Sequence, residues 1–442
     1  MNVALLLLLQ VLLAIALHTS ANESFDVRQH LSTVTRYGVV KDISDDSFVP
    51  SKNLDQCTPI HLNLVARHGT RAPTKKRIRE IEALAARLEV LVRDAKEQKQ
   101  SLDKIPAWLT GWSSPWKGKL TGGELISEGE DELYHLGIRV REQFPNLFSE
   151  EYHPDIYSIK ATQDFRKSQE PTVKKLKEPI IDEITHELVR RYGLNFTKQD
   201  VSSLWFLCQQ EASLLNITNQ ACSLFSPAEV SLLEYADDLE SFILKGYGNS
   251  LNYRMGVPLL EDVLQSMEQA IKAKEEGYAP GSYEKARLRF AHAETLLPFS
   301  CLIGLFLKES EFELIQREQA LQFPPKPPNK RNWRGSIVTP FAGNNMLVLY
   351  SCGSNNSSKY FVKVLHNERP IPIPGCNNSD SCPFEVFKER IAAPHLKHDY
   401  NALCNVKSEQ KEKDSTLSMF SQMFNWIFSL RNADTPAQKV EL

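Results

Sequence analysis

One apolar run alternates with period two, Pro59-Ile60-His61-Leu62-Asn63-Leu64-Val65-Ala66, and ends on Arg67-His68-Gly69-Thr70-Arg71. Alternation of that kind predicts a strand, so two arginines and a histidine sit where a strand gives way to a loop. In an open α/β sheet, ligands bind beyond the carboxyl ends of the strands. Two guanidinium forks beside an imidazole suit a tetrahedral oxyanion, because arginine pairs with phosphate in bidentate fashion and stays charged. Gly69 lets backbone approach a ligand with no Cβ in the way.

Far downstream, Arg289-Phe290-Ala291-His292-Ala293-Glu294-Thr295 closes another short apolar-aromatic run with an imidazole and a carboxyl group. An R-H-G-x-R motif after the first strand, joined by a distal H-A-E, resembles the histidine acid phosphatase family. Three features resemble more specifically its multiple inositol polyphosphate phosphatases of the plant type, which act on phytate. They are the H-A-E-T form, the run from Leu64 to Thr74, and Gly246-Tyr247-Gly248-Asn249. The resemblance extends from about Asp55 to about Tyr400.

The resemblance implies an α/β fold, with a mostly parallel central sheet flanked by helices and an α-helical insert that caps the site. It implies phosphomonoester hydrolysis through a phosphohistidine on His68. Arg67, Arg71 and His292 would surround the equatorial phosphate oxygens, where charge concentrates. Glu294 would protonate the leaving inositol oxygen and then help activate water, a role that calls for a raised carboxyl pKa. Thr70 would either donate to phosphate or shape the turn. Lys75 would contact a second phosphate of a polyphosphorylated ring, and Lys76 extends the same basic cluster. No metal or cofactor is implied. Bisphosphoglycerate stands as a second candidate substrate.

A net charge of −3 argues against a nucleic-acid partner. It leaves an anionic substrate open, because the local cluster Lys75, Lys76 and Arg77 can attract a polyanion. At 442 residues and 42% hydrophobic, the chain has ample material for a packed core. No C-x-x-C pair occurs among the eight cysteines. His292-Ala293-Glu294 matches the H-x-E of zinc deaminases but lacks the P-C-x-x-C partner.

The leucine-rich segment from Leu5 to Leu17, followed by Thr19-Ser20-Ala21, reads as a signal peptide over residues 1–21. Sequons at Asn22, Asn195, Asn216, Asn355, Asn356 and Asn377 agree with entry into the secretory pathway. An even number of cysteines suits disulfides there. Cys376 and Cys382 form a close pair, Cys208 and Cys222 can form a second, and Cys57 can reach Cys352. Eight cysteines nevertheless allow roughly a hundred connectivities. Lys439-Val440-Glu441-Leu442 is close to K-D-E-L, a receptor-read retention signal, so residence in the endoplasmic reticulum lumen or slow secretion is expected. Met419–Leu430 is apolar but too short to span a bilayer, and reads as a docking helix or a weak membrane-surface contact.

The coarse plan follows. Residues 55–163 and 285–400 make two parts of the α/β core, with a helical insert over 172–277 and a polar tail over 401–442. A helix is expected after Pro73-Thr74, with Ile81, Leu84, Leu88 and Leu91 on one face. Gln98–Lys119 reads as a surface excursion. Ser127 and Glu130 have the form of a capping box. Strands are expected at Asp155–Ile159, Leu288–Phe290, Gly335–Pro340, Asn345–Ser351 and Tyr360–Glu368.

The chain departs from the family pattern at one place. The family places a further phosphate-binding arginine just after the strand that precedes the insert, with a helix opening behind it. Here Tyr157–Gln163 runs straight into Asp164–Pro171, as an internal deletion would leave it. Arg166 is the only nearby substitute. Two further function classes therefore stay open: an impaired, splice-type isoform that binds phosphorylated ligands, and a lumenal glycoprotein that keeps only the fold.

Overall fold

The computed structural model describes residues 25–43, 48–52, 54–119, 121–161, 170–324, 327–328, 331–353 and 358–397. The signal segment, Asn22, Asn355, Asn356, Arg166, Met419–Leu430 and Lys439–Leu442 lie outside the described residues.

Among the described residues, the α-helices of seven residues or more are, in chain order, α1 (Tyr37–Ile43), α2 (Lys75–Glu97), α3 (Ser127–Gln143), α4 (Glu170–Tyr192), α5 (Lys198–Gln210), α6 (Pro227–Lys245), α7 (Val257–Glu275), α8 (Ala293–Leu302) and α9 (Glu309–Gln316). The strands are β1 (Thr58–Arg67), β2 (Tyr157–Ala161), β3 (Ala286–Ala291), β4 (Asn344–Ser351), β5 (Tyr360–His366), β6 (Arg369–Pro370) and β7 (Ser381–Pro383). They form one mixed sheet in the order β2-β3-β1-β4-β5-β6, with β7 paired to β5. β2, β3 and β1 run parallel, and the strands from β4 onward pair antiparallel. The parallel half carries the two motif loops at the carboxyl ends of β1 and β3.

Alternation along β1 sends side chains to two different layers. Leu62, Leu64 and Ala66 pack with Met346 and Val348 beneath Leu136, Val140 and Phe144 of the α3 region. Val65 faces α7 and α8, joined by Leu347, Leu349, Val362 and Val364. The polar positions on that face are buried too. Asn63 donates to Ser266 Oγ of α7 at 3.0 Å and accepts from Arg289 at 2.8 Å.

The helical stretch expected as one insert divides between two layers. α2, α4, α5 and the first half of α6 share one cluster. α7 and the second half of α6 join the core against the sheet. Two starts are well capped. Thr197 with Asp200 and Ser226 with Glu229 form capping boxes at α5 and α6, each worth about 1 kcal/mol. Trp116 and Leu109 of the expected surface excursion are buried against α2. The three pairs Cys57–Cys352, Cys208–Cys222 and Cys376–Cys382 are disulfides.

Two local expectations fail. Ser127 opens α3 instead of capping it, since Ile126 is the N-cap and supplies no side-chain bond. Gly335–Val338 is a helical turn and not a strand. Its Gly335 N–H, a group that a sheet ladder would have used, donates to Asp238 instead, and its Ser336 side-chain hydroxyl donates to Glu234.

One face of the sheet thins toward its β2 edge. The row Met346, Leu64, Leu288 and Ile159 runs across four strands. Met346 and Leu64 are buried, Leu288 is half-buried, and Ile159 is 55% exposed.

Candidate active site

The carboxyl ends of β1 and β3 bring the two motifs together. The rings of His68 and His292 are edge to face, with centroids 5.5 Å apart. His68 continues the parallel pairing by donating its backbone N–H to Ala291 O at 2.9 Å. Its ring Nδ1 lies 2.8 Å from Gly69 O. A carbonyl only accepts, so Nδ1 carries the proton and Nε2 holds the lone pair. Burial, with help from Arg67, Arg71 and His292, pushes the His68 pKa down to about 3. The imidazole is therefore neutral well into the acid range.

The loop that follows is locked from below. Gly69 lies so close to the start of α3 that a Cβ there would sit 1.9 Å from Gly129 O. Ile126 N–H donates to Thr70 O, and Ala72 N–H donates to Glu124 O. Thr70 gives both its N–H (2.7 Å) and its hydroxyl (2.9 Å) to Glu132, so its polar groups shape the turn.

Arg67 lies under this loop, with its guanidinium 4.6 Å from the Phe341 ring centroid. Its NH1 donates to Thr33 O and, at 2.7 Å, to Thr339 O. Among the described residues its buried Nε has no hydrogen-bond partner. Burial lowers the Arg67 pKa to about 10, partly offset by Glu294, so the group stays cationic at any acid pH. Arg71 is half-buried beside the loop, bridged through its backbone to Leu125. Lys75 and Lys76 open α2 with exposed side chains.

His292 is the N-cap of α8, and its buried Nδ1 has no hydrogen-bond partner among the described residues. Glu294 sits in the first turn of that helix. Burial alone would raise its pKa, but Lys245, the Glu294 backbone N–H and Arg67 outweigh it and hold the carboxyl near about 2. Lys245 Nζ is 2.8 Å from Glu294 Oε1. The raised carboxyl pKa expected for a proton donor is thus reversed in the free chain, because an ammonium group occupies the position beside it.

Sequence reasoning missed three contributors. Lys245 ends α6 one residue before the Gly246-Tyr247-Gly248-Asn249 segment, and that adjacency was its only signal. Glu132 and the Thr33 carbonyl carried none, since each meets the loop only through the fold.

The family model of the histidine phosphatase superfamily (branch 2) matches residues 60–169 and 162–367. The chain is similar to multiple inositol polyphosphate phosphatase 1 of Dictyostelium discoideum, 24% identical over 461 residues that cover 80% of this chain and 69% of the relative. It is similar to the Homo sapiens protein of the same name, 26% identical over 382 residues covering 72% and 76%. Among solved structures, the phytase from D. castellii shares the fold with a TM-score of 0.59, at 18% identity over 87% of this chain and 88% of that one. Bifidobacterium longum multiple inositol polyphosphate phosphatase, in complex with inositol hexasulfate, matches with a TM-score of 0.57 at 16% identity, covering 85% and 99%.

Proposed function

The chain belongs to the histidine phosphatase superfamily, branch 2, and from that premise we propose that it hydrolyses phosphomonoesters of inositol polyphosphates through a phosphohistidine on His68. The observation that carries this reading is the meeting of a neutral His68, its lone pair on Nε2, with Arg67, Arg71, His292 and Glu294. The names of the similar proteins supply the substrate class.

Nε2 attacks phosphorus in line, and the bond to the inositol oxygen breaks. Arg67, held by two carbonyls through NH1, still has Nε and NH2 to offer the equatorial oxygens. Arg71 and His292 Nδ1 add donors. Fixed donors aimed at developing charge are the main source of rate in phosphoryl transfer. Glu294 gives its proton to the departing oxygen, then takes one from the water that cleaves the P–N bond. Substrate phosphates draw Lys245 toward themselves and crowd negative charge around Glu294. Both changes raise its pKa from the low value of the free chain. Lys75 and Lys76, exposed at the mouth, meet the ring's other phosphates.

The deciding assay is phosphate release from phytate at acidic pH, with and without a chelator. Release that survives chelation is expected, since the arginines supply the charge. No release, or release abolished by chelator, overturns the reading.

Glu294→Gln tests the proton donor. It should slow hydrolysis of phytate by roughly 10²-fold or more, and that of an activated aryl phosphate far less, because a good leaving group needs little protonation. Equal losses on both substrates would assign Glu294 to binding.

The native protein is further proposed to reside in the secretory pathway, in the endoplasmic reticulum lumen through its Lys-Val-Glu-Leu terminus or as a slowly secreted glycoprotein. The three described sequon asparagines, Asn195, Asn216 and Asn377, are exposed, as glycosylation requires. Among the described residues no helix is long and apolar enough to cross a membrane. A chain from its native source whose mass is unchanged by glycosidase would contradict this localisation.

A further inference from the structure

Arg67 depends on a part of the chain that lies upstream of the family match. Of the two carbonyls that hold its NH1, one belongs to Thr33 and the other to Thr339. Residues 29–37 cross beneath the phosphate loop as a strap. Phe341 N–H donates to Thr35 O, which joins the strap to the segment beside His68. At the far end, Tyr37 N–H shares the Glu132 carboxylate with Thr70.

Both carbonyl-bearing segments are pinned by the same side chain. Asp238 Oδ1 accepts from the Ser32 hydroxyl at 2.8 Å and from Gly335 N–H at 2.8 Å. Its Oδ2 accepts from Arg331. One turn earlier on α6, Glu234 takes Arg331 at 2.7 Å, Arg334 at 2.8 Å, Ser336 at 3.1 Å and His30 at 3.0 Å. Glu234 and Asp238 are fully buried, so these partners are what make their burial tolerable. The network spans α6, the strap and the 331–339 segment. Its route to the phosphate loop by way of Arg67 is through Thr33 and Thr339.

We propose that the strap is a positioning element for catalysis, in which Asp238, gripping Ser32 and Gly335 together, sets the two carbonyls that aim Arg67 at the transferring phosphoryl group. This rests on the role given to Arg67 above. A guanidinium fork delivers its charge only when oriented, and small misplacements near a reacting centre cost large factors in rate.

Ser32→Gly is the test. Ser32 has a φ of 50°, where glycine is at ease, so the change removes the hydroxyl and relieves backbone strain together. The melting temperature should stay close to that of the unaltered chain. The kcat for phytate should fall roughly tenfold or more with little change in KM, as expected when an interaction made in the transition state is loosened. In an Arg67→Lys background the same substitution should cost nothing further. Gly335→Ala approaches the same point from the other side, since its Cβ would lie 2.4 Å from Ser32 Oγ. It should show the same dependence on Arg67. Unchanged kcat in Ser32→Gly, or equal losses with and without Arg67, would overturn the proposal while leaving the active-site reading intact. Full activity in Arg67→Lys alone would overturn the role of Arg67, and the strap with it.

Discussion

His68→Ala should lower phosphate release from phytate by roughly 10⁴-fold or more, the scale on which removal of a nucleophile is felt. The unaltered chain, quenched in alkali within a turnover, should carry labelled phosphate on protein, and His68→Ala should carry none. The pH dependence follows from the site. Nucleophilic attack needs the unprotonated ring, and burial with the flanking Arg67 and Arg71 holds the His68 pKa near about 3 against the usual 6.5. The fraction of competent nucleophile is therefore complete above that value and is lost only as pH falls through about 3. An ordinary histidine would already lose tenfold per unit below 6.5. An acid limb of kcat/KM set near 6.5 would contradict this assignment, as would labelled protein in His68→Ala.

What the sequence revealed and what it hid follow the range of the contacts involved. The period of β1 and the two motifs are local, so strand, loop and helix starts could be read from neighbouring residues. Nothing local marks Asp238 as a partner of Ser32, which lies 206 positions away. The same distance effect made Gly335–Val338, within the Gly335–Pro340 stretch expected as a strand, a helical turn. Its composition suits a strand, but buried carboxylates on α6 take its N–H and hydroxyl groups. Tertiary partners override propensity where they are charged and buried. Glu294 shows the matching effect in electrostatics. Its place in H-A-E was legible, yet Lys245, the residue that decides its charge state, arrives from another helix.

Inserting the arginine-bearing segment of the family pattern between Gln163 and Asp164 should raise turnover by roughly 10³-fold, the worth of one arginine at a developing phosphoryl charge. Three observations motivate this. The family resemblance places an arginine and a helix just after the strand that here is β2. The family match falls into two pieces that overlap over residues 162–169. The sheet loses its cover toward that same edge, from buried Leu64 through Leu288 to the exposed Ile159. A helix restored over this face would bury Ile159 and complete the cover of Leu288, each worth about 1.5–3 kcal/mol at full burial. The melting temperature should therefore rise by several degrees. The readouts are turnover on phytate and thermal melting of both chains. A rise in melting temperature alone would mean that the helix is structural and that the arginine has a substitute. Arg166→Ala in the uninserted chain then identifies it, by abolishing the remaining activity if Arg166 reaches the phosphate beside His68. If the insertion changes neither rate nor melting, the gap is benign, and the row ending at Ile159 is simply the edge of a complete sheet.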